Sequence, residues 1–191
     1  MASGGNASTG WDLVGKHITF TNDQVKAMND ALRSIDWPKQ NRSVTYGSGA
    51  CVGATLEGPN ARLGHWTHKI STTIKIINTI IWHALGDYDF QWGSLQINID
   101  SYSKVHTDKN NTGPSLIFLL GSFTEGRFAM EDGSIVISEP GRGYFIDGRK
   151  RHYSEPFQGK RISIVAFYHG TTHLLSAKEK SDLEEMGFVL K

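Results

Sequence analysis

The sequence predicts an α+β fold: a double-stranded β-helix, or jelly roll, with helices packed on one of its sheets. Two early stretches repeat their apolar residues at helical spacing. From Phe90 to Tyr168 the pattern changes to short apolar runs broken by Gly, Pro, Asn and Asp. Helices followed by about seven or eight short strands fit a strand-rich core covered by helices on one side. No internal repeat and no low-complexity linker follows residue 10. A single domain over residues 11–191 is therefore expected, with the jelly-roll core at about 90–170. Residues 1–10, rich in Gly, Ser and Asn, read as a flexible N-terminal tail.

The first helix is predicted over Asn22–Ile35, where Val25, Met28, Leu32 and Ile35 share a face and Thr21 with Gln24 forms a capping-box pattern. Trp37-Pro38 ends it, because the residue before proline is pushed out of the helical region. Residues 41–64 are rich in Gly and Ser and read as strands and loops. A second helix is predicted over Lys69–Leu85, with Ile70, Ile74, Ile77, Ile81 and Ala84 on one face. Leu95, Ile97 and Ile99 then alternate with Gln96, Asn98 and Asp100, giving a strand with one polar face. Further strands are expected at Ser115–Leu120, Arg127–Met130, Ser134–Ser138, Gly143–Ile146, His152–Phe157 and Arg161–Tyr168. A last helix, Ala177–Met186, opens on a Ser176/Glu179 capping box and stops at Gly187.

Composition narrows the class without naming a function. The chain has 38% hydrophobic and 20% charged residues and a net charge of +1, so nothing global points to nucleic acid. No apolar run approaches the roughly 20 residues that cross a bilayer. The start of the chain lacks the basic and apolar regions of a secretory signal. With a lone cysteine, Cys51, an intracellular location (cytoplasm or nucleus, not secreted) is expected. Cys51 itself reads as a small core residue rather than a nucleophile. Sequons stand at Asn41 and Asn110. The second adjoins the candidate metal ligands, where a glycan would block the site, so an unglycosylated chain is expected.

Chemistry enters at His106-Thr107-Asp108. In an extended segment, residues i and i+2 face the same way, so imidazole and carboxylate can grip one ion. His152, after a glycine-containing turn, is the candidate third ligand of a two-histidine, one-carboxylate set, whose ligand atoms should approach within about 3–4 Å. Arg161 and Ser163 share one face of the last long strand. A guanidinium there suits a carboxylate, such as the far end of 2-oxoglutarate. Between Gly141 and Arg161 lie Arg142, Arg149, Lys150, Arg151, Lys160 and Arg161 against Asp147 and Glu155. This segment reads either as a solvated rim or as a landing place for an anionic substrate, with Arg149, Lys150 and Arg151 at the rim. Tyr102 reads either as a hydrogen-bond donor to a cosubstrate or as a packing residue. His65-Trp66-Thr67-His68 could line a substrate mouth, although packing is the commoner role for such residues. His83, His169 and His173 read as surface or loop residues.

The order H-x-D, distant His, then R-x-S resembles the Fe(II)- and 2-oxoglutarate-dependent oxygenases. A longer pattern resembles the TET/J-binding-protein type, oxidases of methylcytosine and thymine in DNA. It runs through Phe90-Gln-Trp-Gly-Ser-Leu-Gln-Ile-Asn, His106-Thr-Asp-Lys-Asn-Asn-Thr-Gly-Pro-Ser, Leu120-Gly-Ser-Phe-Thr-Glu-Gly, Phe145-Ile-Asp-Gly, His152 and Pro156-Phe-Gln-Gly-Lys-Arg. The resemblance implies iron on His106, Asp108 and His152, and 2-oxoglutarate on Arg161 with help from Asn98. It also implies that Asn111 and Ser115 brace the ligand turn. Two departures stand out: Glu125-Gly126 replaces the usual Gly-Gly turn, and the His-to-Arg interval is short.

The function expected is hydroxylation of a C–H bond, with a pyrimidine base of DNA or RNA as one substrate class. A hydroxylase of a peptide or small molecule is the alternative enzyme. A binding module that kept the jelly roll without its chemistry is the non-enzymatic reading, and the retained ligands and Arg161 argue against it.

Overall fold

A computed structural model describes residues 10–40 and 42–191. The tail expected at 1–10 falls outside this span except for Gly10, and the Asn41 sequon falls outside it altogether. The strands are β1 His17–Thr19, β2 Thr45–Glu57, β3 Asn60–Leu63, β4 Ser94–Ser103, β5 Ser115–Glu125, β6 Phe128–Met130, β7 Val136–Ile137, β8 Arg142–Ile146, β9 His152–Ser154 and β10 Phe157–Phe167. The helices are α1 Asn22–Arg33, α2 Ser71–Leu85 and α3 Ala177–Glu185. A seven-stranded sheet runs β1-β8-β5-β10-β4-β2-β3, and a three-stranded sheet, β7-β6-β9, faces it. Every pairing is antiparallel. This is a jelly roll with helices on its larger sheet. No helix among the described residues is long and apolar enough to cross a membrane.

The period of two in the central strands builds two layers at once. Leu95, Ile97 and Ile99 on β4, Leu116, Phe118 and Leu120 on β5, and Ile162, Ile164 and Ala166 on β10 join one core with Met28, Leu32, Ile74, Ile77 and Ile81 of the helices. Ile117 and Leu119 of β5 point the other way, into a second cluster with Phe128, Met130, Ile135, Ile137 and Ile146 between the sheets. β5 is therefore apolar on both faces, while β4 and β10 turn Gln96, Asn98, Arg161 and Ser163 towards the inter-sheet space.

Burial explains why so isoleucine-rich a segment is a helix. Ile74, Ile77 and Ile81 are fully buried. Each contributes about 2 kcal/mol by leaving water, against a propensity cost of a few tenths. α2 starts at Ser71 with Ile70 as its cap, and α1 stops at Arg33, so each is slightly shorter than predicted. Both predicted capping boxes, Thr21/Gln24 and Ser176/Glu179, are formed.

Three features went unread in the sequence. β1 is too short to show alternation. The 41–64 region supplies a 13-residue strand, β2, whose glycines hide its pattern. The predicted strand over His152–Phe157 is two strands, because the chain changes sheets at Glu155-Pro156.

β4 carries a bulge: Ser48 pairs Ile99 and Tyr46 pairs Tyr102, so Asp100 and Ser101 together oppose Gly47. Asp100 takes φ 48° to make it. The extra residue shifts the phase of everything after it, with consequences at the site.

Asn78 is a buried polar residue on the apolar face of α2. It donates to Met186 O at 3.0 Å and accepts from Trp92 Nε1 at 2.8 Å, tying the helix to the chain end and to the segment before β4. Asn78→Ala strands both partners. Urea denaturation is expected to show a loss of about 2–6 kcal/mol, since each of two unpaired buried groups costs about 1–3; unchanged stability would remove Asn78 from the list of supports.

Candidate active site

His106, Asp108 and His152 come together where the chain leaving β4 meets the segment entering β9. His106 and His152 form a reciprocal backbone bridge, N–H to O at 3.0 Å in both directions, and Asp108 N donates to Gly148 O at 2.8 Å. These bonds hold the two segments flat against each other. The H-x-D pair thus sits on a bridged extended segment rather than within a strand. Space is tight there: a Cβ on Gly148 would lie 3.2 Å from Asn111 Nδ2 and 3.4 Å from Ser115 Oγ. Asn111 donates to Ser115 Oγ at 3.2 Å, so this pair packs behind the Asp108–Gly148 contact.

The ligand atoms of the three residues lie within 4.8 Å of one another, somewhat wider than the spacing expected from sequence. The closest approach, His152 Nε2 to Asp108 Oδ2, is 3.3 Å. An ion bonded at about 2 Å to each would draw the set inward. Each imidazole is oriented by its own backbone: His106 Nδ1 lies 2.7 Å from Lys104 O, and His152 Nδ1 lies 2.7 Å from Lys150 O. A carbonyl only accepts, so in each ring Nδ1 is the donor and Nε2 is left facing the shared point.

Burial pulls the His106 imidazole below its ordinary range, with His152 adding to the effect against the Lys104 carbonyl and Asp108. For Asp108 burial works upward. The contact with His152 and the neighbouring His106 and Arg42 outweigh it and hold the carboxyl below the usual range. The set therefore favours ionised Asp108 and neutral His106, the protonation states that bind a metal.

A cavity of about 440 Å³ opens beside these ligands. Arg161 reaches it from β10, 1% exposed. Its Nε donates to Gly126 O at 2.9 Å and one terminal nitrogen donates to Ser101 O at 3.0 Å, while the other has no partner. Phe123 and Phe157 flank the guanidinium at 5.8 and 6.0 Å. Burial pulls its pKa down to about 10, which leaves it charged at neutral pH. Ser163 accepts from Asn98 Nδ2 at 3.0 Å, and Asn98 Oδ1 accepts from Gln40 at 2.9 Å and Gln96 at 3.3 Å. Asn98, Ser163 and Arg161 all line the cavity.

Other sequence candidates lie elsewhere. Tyr102 does not line the cavity; the bulge at Asp100 turns it outward, where it stacks on Tyr46 at 5.0 Å. Arg149, Lys150 and Arg151 do not line it either. Arg149 pairs with Asp147 at 2.9 Å and covers Trp11, and Arg151 pairs with Glu131. The 65–68 segment is also distant from it: Trp66 stacks on Trp37, and Thr67 accepts from Gly53 N. Cys51 lies partly buried on β2, and burial pushes its thiol up to about 12, far from a nucleophile's range.

The cavity also contains Arg42, which has no signal in the sequence, and His169, which reads there as a loop residue. Arg42 sits 3.6 Å from Asp108 in a stretch with no periodic pattern. His169 lines the cavity, and its signal was available, since Arg161, Ser163, Val165, Phe167 and His169 continue one alternating face.

No protein-family model and no curated protein sequence matches the chain. Solved structures do. NgTET1, solved in complex with 5mC DNA, is 18% identical with a TM-score of 0.63, over 87% of this chain and 77% of that one. An oxidoreductase of the 2OG-Fe(II) oxygenase family from Burkholderia pseudomallei is 18% identical with a TM-score of 0.52, over 79% and 80%. The chain thus has the double-stranded β-helix fold found in the 2-oxoglutarate–Fe(II) oxygenases.

Proposed function

We propose that the protein is an Fe(II)- and 2-oxoglutarate-dependent dioxygenase that hydroxylates a substrate C–H bond. One observation carries this reading: a buried, charged guanidinium with an unused donor faces the same cavity as a two-histidine, one-carboxylate cluster. The first asks for an anion and the second for a divalent ion. A small dicarboxylate with a chelating 2-oxo acid end satisfies both.

The residues fit these groups. His106 Nε2, His152 Nε2 and an Asp108 oxygen would hold the iron from one side and leave the other open. Arg161 would hold the far carboxylate through its unpartnered nitrogen, with Ser163 and Asn98 alongside. Bound there, Fe(II) and 2-oxoglutarate supply the oxidising power: dioxygen is consumed, 2-oxoglutarate becomes succinate and carbon dioxide, and the substrate gains a hydroxyl. The chain's own part is positioning and exclusion. The Lys104 and Lys150 carbonyls fix the two imidazoles, and Ile117, Phe128, Ile146 and Val165 form an apolar lining that keeps bulk water from the reacting centre.

We propose a pyrimidine base in nucleic acid as the substrate. The cavity size is in the range of small-ligand sites. Its lining combines aromatic faces (Phe128, Tyr153, Phe167) with polar groups able to read a base edge (Asn110, Asn111, His169). A base in duplex would have to be flipped to enter. Arg149 and Arg151 pair with acidic neighbours, and phosphate contact is assigned to the exposed lining residue Lys109.

Incubation with Fe(II), 2-oxoglutarate and a panel of oligonucleotides and peptides, read by succinate release and product mass, tests the class of substrate. A hydroxylated pyrimidine is expected; a hydroxylated peptide with unmodified oligonucleotides would replace the nucleic-acid reading. In oligonucleotide binding, Lys109→Ala is expected to lower the slope of log affinity against log salt by about one.

Arg161→Ala removes one side of a buried charge pair. Calorimetry of 2-oxoglutarate on the iron-loaded protein should show a loss of about 2–5 kcal/mol, roughly 30- to 5,000-fold. Arg161→Lys should recover part of it, because the charge returns without the fork. Equal affinity in parent and alanine variant would remove 2-oxoglutarate from Arg161.

A further inference from the structure

The two carbonyls that grip Arg161 are presented by backbone of one unusual kind. Ser101, which accepts from the terminal nitrogen, follows Asp100 at φ 48°. Gly126, which accepts from Nε, follows Glu125 at φ 61°. Asp100 and Glu125 are the non-glycine residues with positive φ among the described residues. A side chain with a Cβ resists that conformation, so each is retained against a local cost. They lie on different strands, one in a bulge of β4 and one where β5 gives way to β6, yet both adjoin the same guanidinium.

Asp100 does more. Its Oδ1 accepts from Arg161 N at 2.9 Å, the N–H that β4 no longer pairs beyond the bulge. Arg33 of α1 neutralises the carboxylate through two bonds of 2.6 and 2.9 Å. Glu125 is exposed, so its contribution is its backbone. Gly126, itself at φ 68°, is closed to a side chain: a Cβ there would meet Phe157 Cβ at 2.6 Å and Arg161 Cδ at 3.2 Å.

Resting on the reading of Arg161 as the 2-oxoglutarate anchor, we propose that Asp100 and Glu125 are positioning residues for the cosubstrate. Their left-handed backbone aims the Ser101 and Gly126 carbonyls at two edges of the guanidinium and leaves its third edge for the far carboxylate. Neither residue touches the cosubstrate.

The test compares two 2-oxo acids, 2-oxoglutarate and pyruvate, titrated calorimetrically into the Fe(II)-loaded protein without oxygen. Both offer the same chelating end, and only 2-oxoglutarate has a far carboxylate. Asp100→Ala and Glu125→Val disfavour positive φ and are expected to weaken 2-oxoglutarate by about tenfold or more, the scale of a misplaced charge-assisted hydrogen bond, with pyruvate unchanged. Glu125→Gly tolerates positive φ and should stay within about threefold of the parent. Should Asp100→Ala not fold, the Glu125 pair at its exposed turn decides the matter. Equal weakening of both acids, or no weakening of either, overturns the proposal. A parent protein that does not prefer 2-oxoglutarate to pyruvate instead overturns the Arg161 reading on which it rests.

Discussion

Arg161 is a full positive charge taken out of water, and among the described residues no carboxylate pairs with its guanidinium. Its donors go to two backbone carbonyls, and one nitrogen is left over. Burying such a group costs several kcal/mol after relaxation. A fold with only structural needs would place an isoleucine at that point of β10. The surrounding architecture instead keeps the charge where it is: a bulge in β4, a kink after β5, two aromatic rings at its flanks and a helix-borne arginine that balances Asp100. Under the proposed function the His106, Asp108 and His152 cluster in the same cavity accounts for this arrangement, since a bound ion and an anion anchor together suit a chelating dicarboxylate.

Much of this was legible in the sequence because strands impose a period of two. The alternation of Leu95, Ile97 and Ile99 with Gln96 and Asn98 places the polar set on the cavity face. Arg161 and Ser163, alternating with Ile162 and Ile164, belong to the same face by the same rule. The helical faces of α1 and α2 were readable from spacing, and the starts of α1 and α3 from capping boxes. His169 extends the alternating face of β10 by one more step, so its position was implied even though a loop was the simpler reading.

What the sequence did not reveal has a shared cause: single residues that break the period. Asp100 looks like the next polar residue after Gln96 and Asn98, and nothing local announces that it will adopt positive φ. Its bulge reverses the phase, sends Tyr102 outward and brings the Ser101 carbonyl in. Arg42 reaches Asp108 from a segment without periodic pattern, so only the tertiary fold places it. The basic run around residue 150 illustrates a different limit. Sequence shows the charges but not their partners, and Asp147 and Glu131 take up two of them.

The central claim is that one cavity binds Fe(II) through His106, Asp108 and His152 and chelates it with a 2-oxo acid anchored on Arg161. The most direct measurement is the visible absorption spectrum of the protein with Fe(II), without oxygen, before and after adding 2-oxoglutarate. A weak visible band is expected only when both are present, and it should vanish in His152→Ala. A spectrum unchanged by 2-oxoglutarate, or a band that survives the loss of His152, would contradict the account.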